Sequence, residues 1–286
     1  AAVAILNYGC IIRDWKVHTP SGSIPVVLGF EKLQHYLDHS PSFGIIAGRV
    51  ANRTARGQFN LNGVKYQLPI NNGVNHLHGG DIGLGRRIWK LETDPDTNSV
   101  HLTYRSEDGE EGYPGAIDFS VIFRLQGARL TCEMTGIPTT ATPINLAQHS
   151  YYNLNGSGDV RDHMIQIAAS SYTPVDETQI PTGEIISVET SRFDFTTPTT
   201  FNETDPDRLG VDHNLVLDPT RNLDLPSATV YSPHSGLELK LWTEEPGLQL
   251  FNAPDMDIPV AGNDGEVYQP FSGVCLEAQD FPDSLN

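Results

Sequence analysis

Residues 145–154 read Asn-Leu-Ala-Gln-His-Ser-Tyr-Tyr-Asn-Leu and place His149 among amide and aromatic side chains. A strand that only fills a core alternates apolar and polar residues. In this stretch, by contrast, consecutive residues carry side chains that can donate or accept hydrogen bonds or stack on a ring. The pattern is typical of a binding or catalytic site. A single histidine is more often a structural residue than a catalyst, however, so the stretch alone leaves both interpretations open.

A second candidate lies near the end of the chain, in the segment Gly-Val-Cys-Leu-Glu-Ala-Gln-Asp-Phe-Pro-Asp. Its Glu277 interrupts an apolar strand pattern, and a carboxylate in such a place needs a partner or a chemical role. We expect Asp280 and Asp283 to be turn residues. Asp212 is a further carboxylate, placed just before a short apolar run.

Two arginines and an amide form a third polar cluster, Gly-Arg-Val-Ala-Asn-Arg, which contains Arg49, Asn52 and Arg53. Its simplest interpretation is a solvated surface. Alternatively, guanidinium groups beside small residues can bind ligand hydroxyls or orient a carboxylate through paired hydrogen bonds. The cluster by itself does not decide between the two.

A fourth cluster, Asn-Asn-Gly-Val-Asn-His-Leu-His-Gly-Gly, carries His76 and His78. Histidines two positions apart lie on one face of a strand, which suits metal binding, but no cysteine or carboxylate accompanies them within a few residues. We therefore predict that no metal is bound there. The glycines after His78 allow a sharp turn that leaves its imidazole open to a ligand.

Short strand patterns separate the polar clusters. Residues 58–61 and 64–68 flank an Asn-Gly dipeptide, which is the strongest short-range signal for a hairpin. Residues 117–125 and 130–134 alternate around a Gln-Gly-Ala turn and predict a second hairpin, and residues 237–241 repeat the same alternation.

Further strands are predicted at residues 3–15 and 24–28, joined by a turn-rich Thr-Pro-Ser-Gly-Ser segment, whereas only residues 31–38 match a helix. The 26 glycines and 20 prolines punctuate the strands at fairly regular spacing. This pattern predicts a large antiparallel β-sandwich or barrel.

Composition narrows the possible partners. With 38% hydrophobic and 19% charged residues, the 286-residue chain matches a globular protein with a sizeable core. No apolar run approaches the roughly 18 residues that span a bilayer. The net charge of −18 repels nucleic acid and anionic membrane surfaces, so we expect neither as a partner and favour a small, neutral ligand.

Length alone allows two small domains or one large all-β domain. The segment 170–201, rich in Thr, Ser and Pro, is the candidate linker. We expect its frequent apolar residues to anchor loops on a single domain instead. These residues are Tyr172, Val175, Ile180, Ile185 and Ile186.

Cys10, Cys132 and Cys275 are widely spaced and set among apolar residues, so we expect buried free thiols rather than a disulfide or a metal site. The chain starts Ala-Ala-Val-Ala-Ile-Leu, without the basic region of a signal peptide and without an initiating Met. We expect a trimmed N-terminus and a cytoplasmic protein that is a monomer or a weak homodimer.

Six motifs, taken together and in order, resemble those of the aldose 1-epimerases, the galactose mutarotase family. They are the Asn-Arg segment 48–57, Asn-His-Leu-His-Gly-Gly from Asn75, Asp-Gly-Glu-Glu-Gly-Tyr-Pro-Gly from Asp108, the stretch around His149, Gly-Val-Asp-His from Gly210, and Leu-Glu-Ala-Gln-Asp-Phe-Pro-Asp from Leu276. The resemblance covers nearly the whole chain. It implies an all-β fold, a large antiparallel β-sandwich of the galactose mutarotase-like supersandwich type, and interconversion of the α and β anomers of free sugars such as galactose and glucose.

The same resemblance implies that Glu277 is the general base, His149 the general acid, and His78 a second histidine at the sugar ring. Further residues are implied to bind sugar hydroxyls or to orient the catalytic groups: Asn52, Arg53, Asp212 and Gln249. Phe251 follows Gln249 by two positions on the same predicted strand face and is expected to offer an apolar wall. Glu277 is thus the expected long-range partner of His149.

These residue types suit the reaction. Anomerisation removes a proton from the C1 hydroxyl and adds one to the ring oxygen, so an ionised Glu277 and a protonated His149 on opposite sides of the hemiacetal would do both. The ring opens to the aldehyde, rotation about C1–C2 presents the other carbonyl face, and the reverse transfers close the ring. No redox step or phosphate transfer is required, and we expect no cofactor.

The chain departs from the family in a few places. The family usually begins about a strand earlier and continues beyond the Phe-Pro-Asp motif. We therefore expect residues 1–286 to be a single aldose 1-epimerase-like domain that lacks terminal strands at both ends, and we expect those strands to exist outside this sequence because exposed sheet edges invite aggregation. Gln148, Tyr152 and Leu285 stand where many members carry Asn, Phe and Pro.

Three other functions stay open at this point. A glycoside hydrolase would place two carboxylates around a sugar, and Asp212 with Glu277 could supply them. A sugar-binding protein would share the fold without needing an acid that faces a base. A sugar-phosphate epimerase would use additional arginines in its pocket. The candidates for that role are Arg49, Arg53, Arg86 and Arg87.

Overall fold

The computed structural model describes residues 1–20 and 22–286, and short strands make up most of its regular structure. The strands are β1 Ala2–Ile5, β2 Ile12–Thr19, β3 Gly22–Pro25, β4 Ile46–Ala47, β5 Arg53–Thr54, β6 Gln58–Leu61, β7 Val64–Gln67, β8 His76–Leu77, β9 Lys90–Asp94, β10 Ser99–Ser106, β11 Ile117–Gln126, β12 Arg129–Pro138, β13 Ala147–Gln148, β14 Tyr151–Tyr152, β15 Met164–Ile167, β16 Ser171–Tyr172, β17 Ile186–Ser187, β18 Thr199–Thr200, β19 Asp212–Val216, β20 Ala228–Tyr231, β21 Glu238–Leu241, β22 Gly247–Phe251 and β23 Val274–Gln279. The α-helices are α1 Leu33–His39 and α2 Phe201–Thr204, and 3-10 turns lie at Ala55–Gly57, Leu84–Arg86, Glu110–Gly112 and Asn263–Gly265. Within the described residues, neither helix has the length and apolar character needed to cross a membrane.

The strands assemble into antiparallel sheets. The largest has six strands in the order β14-β23-β22-β19-β16-β17, and a four-stranded sheet has the order β18-β15-β20-β21. A second four-stranded sheet has the order β12-β11-β10-β9, and β1, β2 and β3 form a three-stranded sheet. Shorter pairs join β13 to β4, β5 to β8 and β6 to β7. This is the all-β antiparallel architecture that the sequence predicted.

One face of the six-stranded sheet carries the apolar core. Alternate residues of a strand point to the same face, so Leu248 and Leu250 of β22 and Leu276 of β23 leave the sheet on this side. They share one buried cluster with Ile165 of β15 and Val230 of β20. Because the core occupies this face, the opposite face of β22 and β23 is available for other groups.

Both predicted hairpins are confirmed. Strands β6 and β7 pair with each other, and Asn62 and Gly63 between them have φ values of 52° and 81°, as a type I′ turn requires. Strands β11 and β12 form the second hairpin, in which Ile117 and Phe119 alternate into the core. The predicted helix corresponds to α1. Strands β2 and β3 pair with each other at the predicted Thr-Pro-Ser-Gly-Ser turn, but Thr19, Gly22 and Ser23 of this segment belong to the strands, and Ser21 lies outside the described residues.

The prediction of one strand over residues 3–15 is wrong. Strand β1 ends at Ile5, β2 begins at Ile12, and the two pair with each other in antiparallel fashion. Gly9 and Cys10 between them have left-handed φ values of 64° and 53°, which reverse the chain. Gly9 and Cys10 are buried, so the reversal lies inside the core, where no run of polar residues marks it.

The segment 170–201 packs onto the core. Ile180 is buried, and Phe195 belongs to the apolar cluster between the two sheets. Ile185 and Ile186, however, are 57% and 39% exposed, so the prediction that they anchor the segment is wrong. The physical reason is position, because Ile186 lies on β17, the edge strand of the six-stranded sheet.

The thiols of Cys10, Cys132 and Cys275 are free. Cys10 and Cys275 are buried, as the sequence predicted. Cys132 is only partly buried, since it lies on β12 at the edge of its sheet.

Candidate active site

The face of β22 and β23 opposite the core carries polar side chains. The strand register pairs Gln249 with Glu277, and Phe251 with Cys275. On the neighbouring strand β19, Asp212 pairs with Phe251. Because side chains alternate along a strand, these groups share one face of three adjacent strands.

His149 reaches this face from the segment just before β14. Backbone hydrogen bonds fix its position: its N–H donates to the carbonyl of Ile45 at 2.9 Å, and its carbonyl accepts from the N–H of Gly44 at 2.9 Å. Its Nε2 lies 3.6 Å from Oε1 of Glu277, and the two side chains are only 5% and 3% exposed. The fold thus brings together two residues that are 128 positions apart in the chain, the pair that the resemblance implies as acid and base.

His78 is the third member of this cluster. The chain leaves β8 at His78, which has a φ of 49°, and its ring centroid lies 5.2 Å from that of His149. The backbone N–H of Asn52 donates to Nδ1 of His78 at 3.1 Å. In the neutral ring the proton is therefore on Nε2. The side chain of Asn52 accepts from the N–H of Arg53 at 2.8 Å, so Asn52 acts on the cluster through its backbone.

His76 lies elsewhere, so the prediction that it shares a strand face with His78 is wrong. Its ring nitrogens lie 2.8 Å from the carbonyl of Pro69 and 2.7 Å from the hydroxyl of Tyr113. The left-handed backbone at His78 turns that side chain away from the strand alternation.

Polar side chains beside Glu277 form a hydrogen-bonded network. Nε2 of Gln249 donates to Oδ1 of Asp212 at 2.6 Å, and the guanidinium of Arg53 lies 3.6 Å from Oδ2 of the same carboxylate. Nε of Arg53 also donates to Oδ1 of Asn72 at 3.2 Å. Asn72 belongs to the cluster that contains His76 and His78, but it was not singled out from the sequence as a site residue. Oε1 of Gln249 and Oε2 of Glu277 are buried without a hydrogen-bond partner among the described residues. Such atoms are available to a polar ligand.

Aromatic rings enclose the imidazole of His149. Tyr151 stacks on it with ring centroids 5.2 Å apart and an interplanar angle of 26°. Phe251 meets Tyr151 edge-on at 6.0 Å. Sγ of Cys275 lies 3.7 Å from Nδ1 of His149. The sequence placed Tyr151 in the same motif as His149 but gave no signal for the contact with Cys275.

The candidate arginines separate into different environments. Arg49 is buried and donates to the carbonyls of Pro114 and Gly115 at 3.0 and 2.6 Å, so it fixes a loop. Arg87 lies 3.7 Å from a carboxylate oxygen of Glu110. Neither guanidinium is directed at the network around Glu277, in contrast to Arg53.

Burial shifts the pKa of each catalytic candidate in the direction that favours its neutral form. It raises the pKa of Glu277 well above its ordinary value; the charge of Asp212 adds to this shift and that of Arg53 opposes it. Burial lowers the pKa of His149 to about 4, partly opposed by its own backbone carbonyl and by Asp212. Burial, together with the charges of His149 and Arg53, also holds the pKa of His78 well below its usual range. Without a ligand, the pair is therefore favoured as a protonated Glu277 beside a neutral His149.

Nitrogen and oxygen atoms of His78, His149 and Glu277 lie within 4.8 Å of one another, a spacing that a metal ion can bridge. The hydrogen bond from Asn52 nevertheless leaves the proton of the neutral His78 ring on Nε2, so that nitrogen offers no lone pair. This weighs against metal binding and favours proton transfer.

Comparisons with known proteins agree with this geometry. The sequence profile of the aldose 1-epimerase family matches residues 1–286. Galactose mutarotase of Rattus norvegicus is 40% identical over 99% of this chain and 84% of its own length. Aldose 1-epimerase of Escherichia coli (strain K12) is 32% identical over the same shares of the two chains.

Solved structures give the same result. The GalM/aldose epimerase homologue from C. elegans superposes with a TM-score of 0.93 at 29% identity, covering 99% of this chain and 87% of that one. Galactose 1-epimerase from Lactobacillus acidophilus NCFM superposes with a TM-score of 0.84 at 27% identity, covering 98% and 82%. The chain therefore belongs to the aldose 1-epimerase family.

Proposed function

We propose that this chain is an aldose 1-epimerase that interconverts the α and β anomers of free hexoses such as galactose and glucose, with Glu277 as general base and His149 as general acid. The observation that carries these roles is the buried contact of 3.6 Å between the carboxyl group and the imidazole. A structural ion pair would be expected to hydrogen-bond both of its carboxylate oxygens, whereas Oε2 of Glu277 has no partner among the described residues.

Transfer of one proton prepares the pair for the reaction. In the unliganded site the proton between the two groups is favoured on Glu277. Sugar hydroxyls that donate to the carboxylate stabilise its charged form, so the proton moves to Nε2 of His149 when a sugar binds. The site thereby gains a base and an acid without exchange of protons with solvent.

The ring then opens in one proton-neutral step. Glu277 takes the proton of the C1 hydroxyl, the electrons of that O–H bond form the C1 carbonyl, the bond between C1 and the ring oxygen breaks, and His149 gives its proton to the ring oxygen. Rotation about C1–C2 exposes the other carbonyl face. The same transfers in reverse close the ring to the other anomer and restore both groups, so the reaction needs no cofactor.

Other residues hold the sugar. Arg53, Asp212 and Gln249 present donors and acceptors for hydroxyls beside the catalytic pair. His78 offers an Nε2–H to the ring, and Asn52 orients it through the backbone hydrogen bond. Phe251 contributes an apolar wall for the carbon face of the sugar.

The alternatives have weaker support. A glycoside hydrolase would place Asp212 and Glu277 on either side of a glycosidic bond, whereas the side chain that lies against Glu277 is the imidazole of His149, 3.6 Å away. A sugar-phosphate epimerase is disfavoured because Arg49 and Arg87 are engaged elsewhere. A sugar-binding protein would have the same fold and pocket, so only a measurement of turnover distinguishes it from an enzyme.

Polarimetry of freshly dissolved α-D-glucose and α-D-galactose tests the proposal. We expect the protein to accelerate mutarotation above the spontaneous rate for both sugars, and this acceleration to vanish in Glu277→Gln. A folded protein that leaves both rates unchanged would favour the binding or sugar-phosphate function, and a hexose 6-phosphate would be the next substrate.

Three further properties are part of the proposal: residues 1–286 act as a single domain, the protein is a monomer or a weak homodimer, and it is cytoplasmic. One cooperative unfolding transition is expected for a single domain. Sedimentation equilibrium over a range of protein concentrations measures the oligomeric state, and cell fractionation measures the location.

A further inference from the structure

Cys275 occupies a central place on the site face of β23. It is fully buried and pairs in register with Tyr151 on one side and Phe251 on the other. Its Sγ lies 3.7 Å from Nδ1 of His149, within the range of a hydrogen bond that involves sulfur. The mechanism above uses Nε2 of this imidazole and leaves the role of Nδ1 open.

The two ring nitrogens of His149 face different partners. Nε2 lies 3.6 Å from Glu277, and the proton that moves between base, sugar and acid must be exchanged at this nitrogen. Nδ1 must therefore keep its own proton throughout the cycle and donate it to the atom that faces it. The side-chain atom that faces it is the sulfur of Cys275, and the backbone carbonyl of His149 itself also favours the charged ring.

The sulfur is a weak acceptor. Burial raises the pKa of the Cys275 thiol well above its ordinary value, and nearby carboxylates add to the shift, so the group stays a neutral thiol. A neutral thiol accepts a hydrogen bond far less strongly than a carboxylate does. In many enzymes a carboxylate at Nδ1 stabilises the imidazolium, which strengthens the histidine as a base and weakens it as an acid.

The other groups around His149 differ in whether they favour the charged form of its ring. Tyr151 stacks on the ring and His78 meets it edge-on, and neither supplies a negative charge. Glu277 faces Nε2, while Asp212 and the carbonyl of His149 itself favour the charged ring. Nδ1 is thus the position at which a stronger acceptor would have the most direct effect.

We propose that Cys275 is a positioning residue for the acid step: its sulfur accepts the Nδ1–H of His149, aims Nε2 at the sugar and leaves the imidazolium a strong proton donor. This inference rests on the proposed function, because only a reaction that protonates a weakly basic ether-type oxygen benefits from such an acid. Variants of Cys275 can show whether the sulfur changes the acid strength and the orientation of the His149 imidazole or only fills space in the core.

The first measurement is the tautomer of His149 in the folded, sugar-free protein, from the nitrogen chemical shifts of its ring by NMR. We expect the neutral ring to carry its proton on Nδ1 in the wild type, and the nitrogen shift of the hydrogen-bonded Nδ1–H to change in Cys275→Ala, where the acceptor is gone. A wild-type ring protonated on Nε2, or an Nδ1 shift that is the same in the variant, would overturn the proposal.

Kinetics provide the second measurement. Loss of one hydrogen bond in Cys275→Ala is expected to lower kcat about three- to tenfold. KM should stay within about twofold, because the role proposed for the sulfur acts through His149 and requires no contact with the sugar. The matched control is Cys10→Ala, which removes the same atoms from another fully buried thiol and should leave kcat unchanged. Equal kcat values in the two variants would refute the positioning role.

Cys275→Ser sharpens the test. A hydroxyl is a stronger acceptor than a thiol, so we expect the variant to keep the Nδ1–H tautomer while the pKa of His149 rises. The alkaline limb of the pH profile of kcat should then move to higher pH while kcat falls. An unshifted limb would contradict the acid-tuning role. If the wild type itself fails to accelerate mutarotation, the proposed function falls and the acid role with it, whereas the tautomer measurement still decides whether the sulfur binds Nδ1.

Discussion

The two faces of β22 and β23 are equally buried but chemically opposite. On the core face, Leu248 and Leu276 are 0% and 4% exposed and pack among apolar side chains. On the site face, Gln249, Glu277 and Gln279 are 3%, 2% and 0% exposed, yet each has at least one polar atom without a partner among the described residues. The same two strands therefore border two environments, one apolar and one polar, because successive side chains point to opposite faces of the sheet.

The difference separates stability from function. Burying an apolar side chain stabilises the fold, whereas burying an unpaired polar group costs free energy. The unpaired atoms of the site face become useful only when a sugar supplies their hydrogen bonds. Truncations on the core face should therefore lower the free energy of unfolding. Changes to the catalytic groups of the site face should lower turnover, and removal of an unpaired polar group from that face should not destabilise the fold.

The largest expected effect is on the site face. Glu277→Gln should lower kcat by about 10³-fold, since an amide cannot accept the hydroxyl proton. Its free energy of unfolding at pH 7 should be unchanged or higher, because the amide has no charged form that burial disfavours. Polarimetry and urea unfolding measure the two quantities.

The matched control is Glu245→Gln. Glu245 is a half-buried carboxyl group whose pKa is also raised by burial, but it has no contact with His149. Its kcat should equal that of the wild type. A comparable loss in both variants would show that the effect of Glu277→Gln is not specific to the site.

The reverse pattern is expected on the core face. Leu276→Ala, next to Glu277 in the chain, should lower the free energy of unfolding by about 3 kcal/mol through lost burial and the cavity left behind. The kcat per folded molecule should change little. If kcat falls as far as in Glu277→Gln, the two faces are not independent.

The pH dependence of stability tests the buried imidazole. The pKa of His149 is about 4 in the folded protein and about 6.5 in an unfolded chain, so between these values the unfolded state binds more protons. Its contribution to stability is present above pH 6.5 and is lost as the pH falls towards 4, with a slope of up to about 1.4 kcal/mol per pH unit. His149→Asn removes this term, so the variant should gain stability relative to the wild type on acidification. Parallel unfolding curves from neutral to acidic pH would contradict the neutral, buried state of His149.

The smallest effect concerns Gln279, which is fully buried and has no partner for either amide atom among the described residues. Gln279→Leu should raise the free energy of unfolding by about 1 kcal/mol, because an apolar group of similar size replaces an unpaired polar one. A destabilised variant in urea unfolding would show that the amide is hydrogen-bonded in solution.

Local features of the fold could be predicted from the sequence. The Asn62-Gly63 turn and the alternation in β11 and β12 each depend on neighbours within a few residues, and both hairpins form as expected. Residues 3–15 were predicted wrongly because Gly9 and Cys10 turn inside the core, where the composition does not become polar. Local patterns report burial and periodicity but not a reversal hidden among apolar residues.

The sequence by itself determined the all-β class and marked two residues as chemically unusual: Glu277, which interrupts an apolar strand pattern, and His149, which stands among amide and aromatic side chains. The role expected of His78 came from the resemblance of its motif to the family. Only the tertiary structure decided which groups meet. His76 and His78 are two positions apart and lie in different environments, whereas Cys275 and His149 are 126 positions apart and in contact. The physical reason is that sheet register and one left-handed residue set these contacts, and both depend on the packing of strands that are distant in the chain.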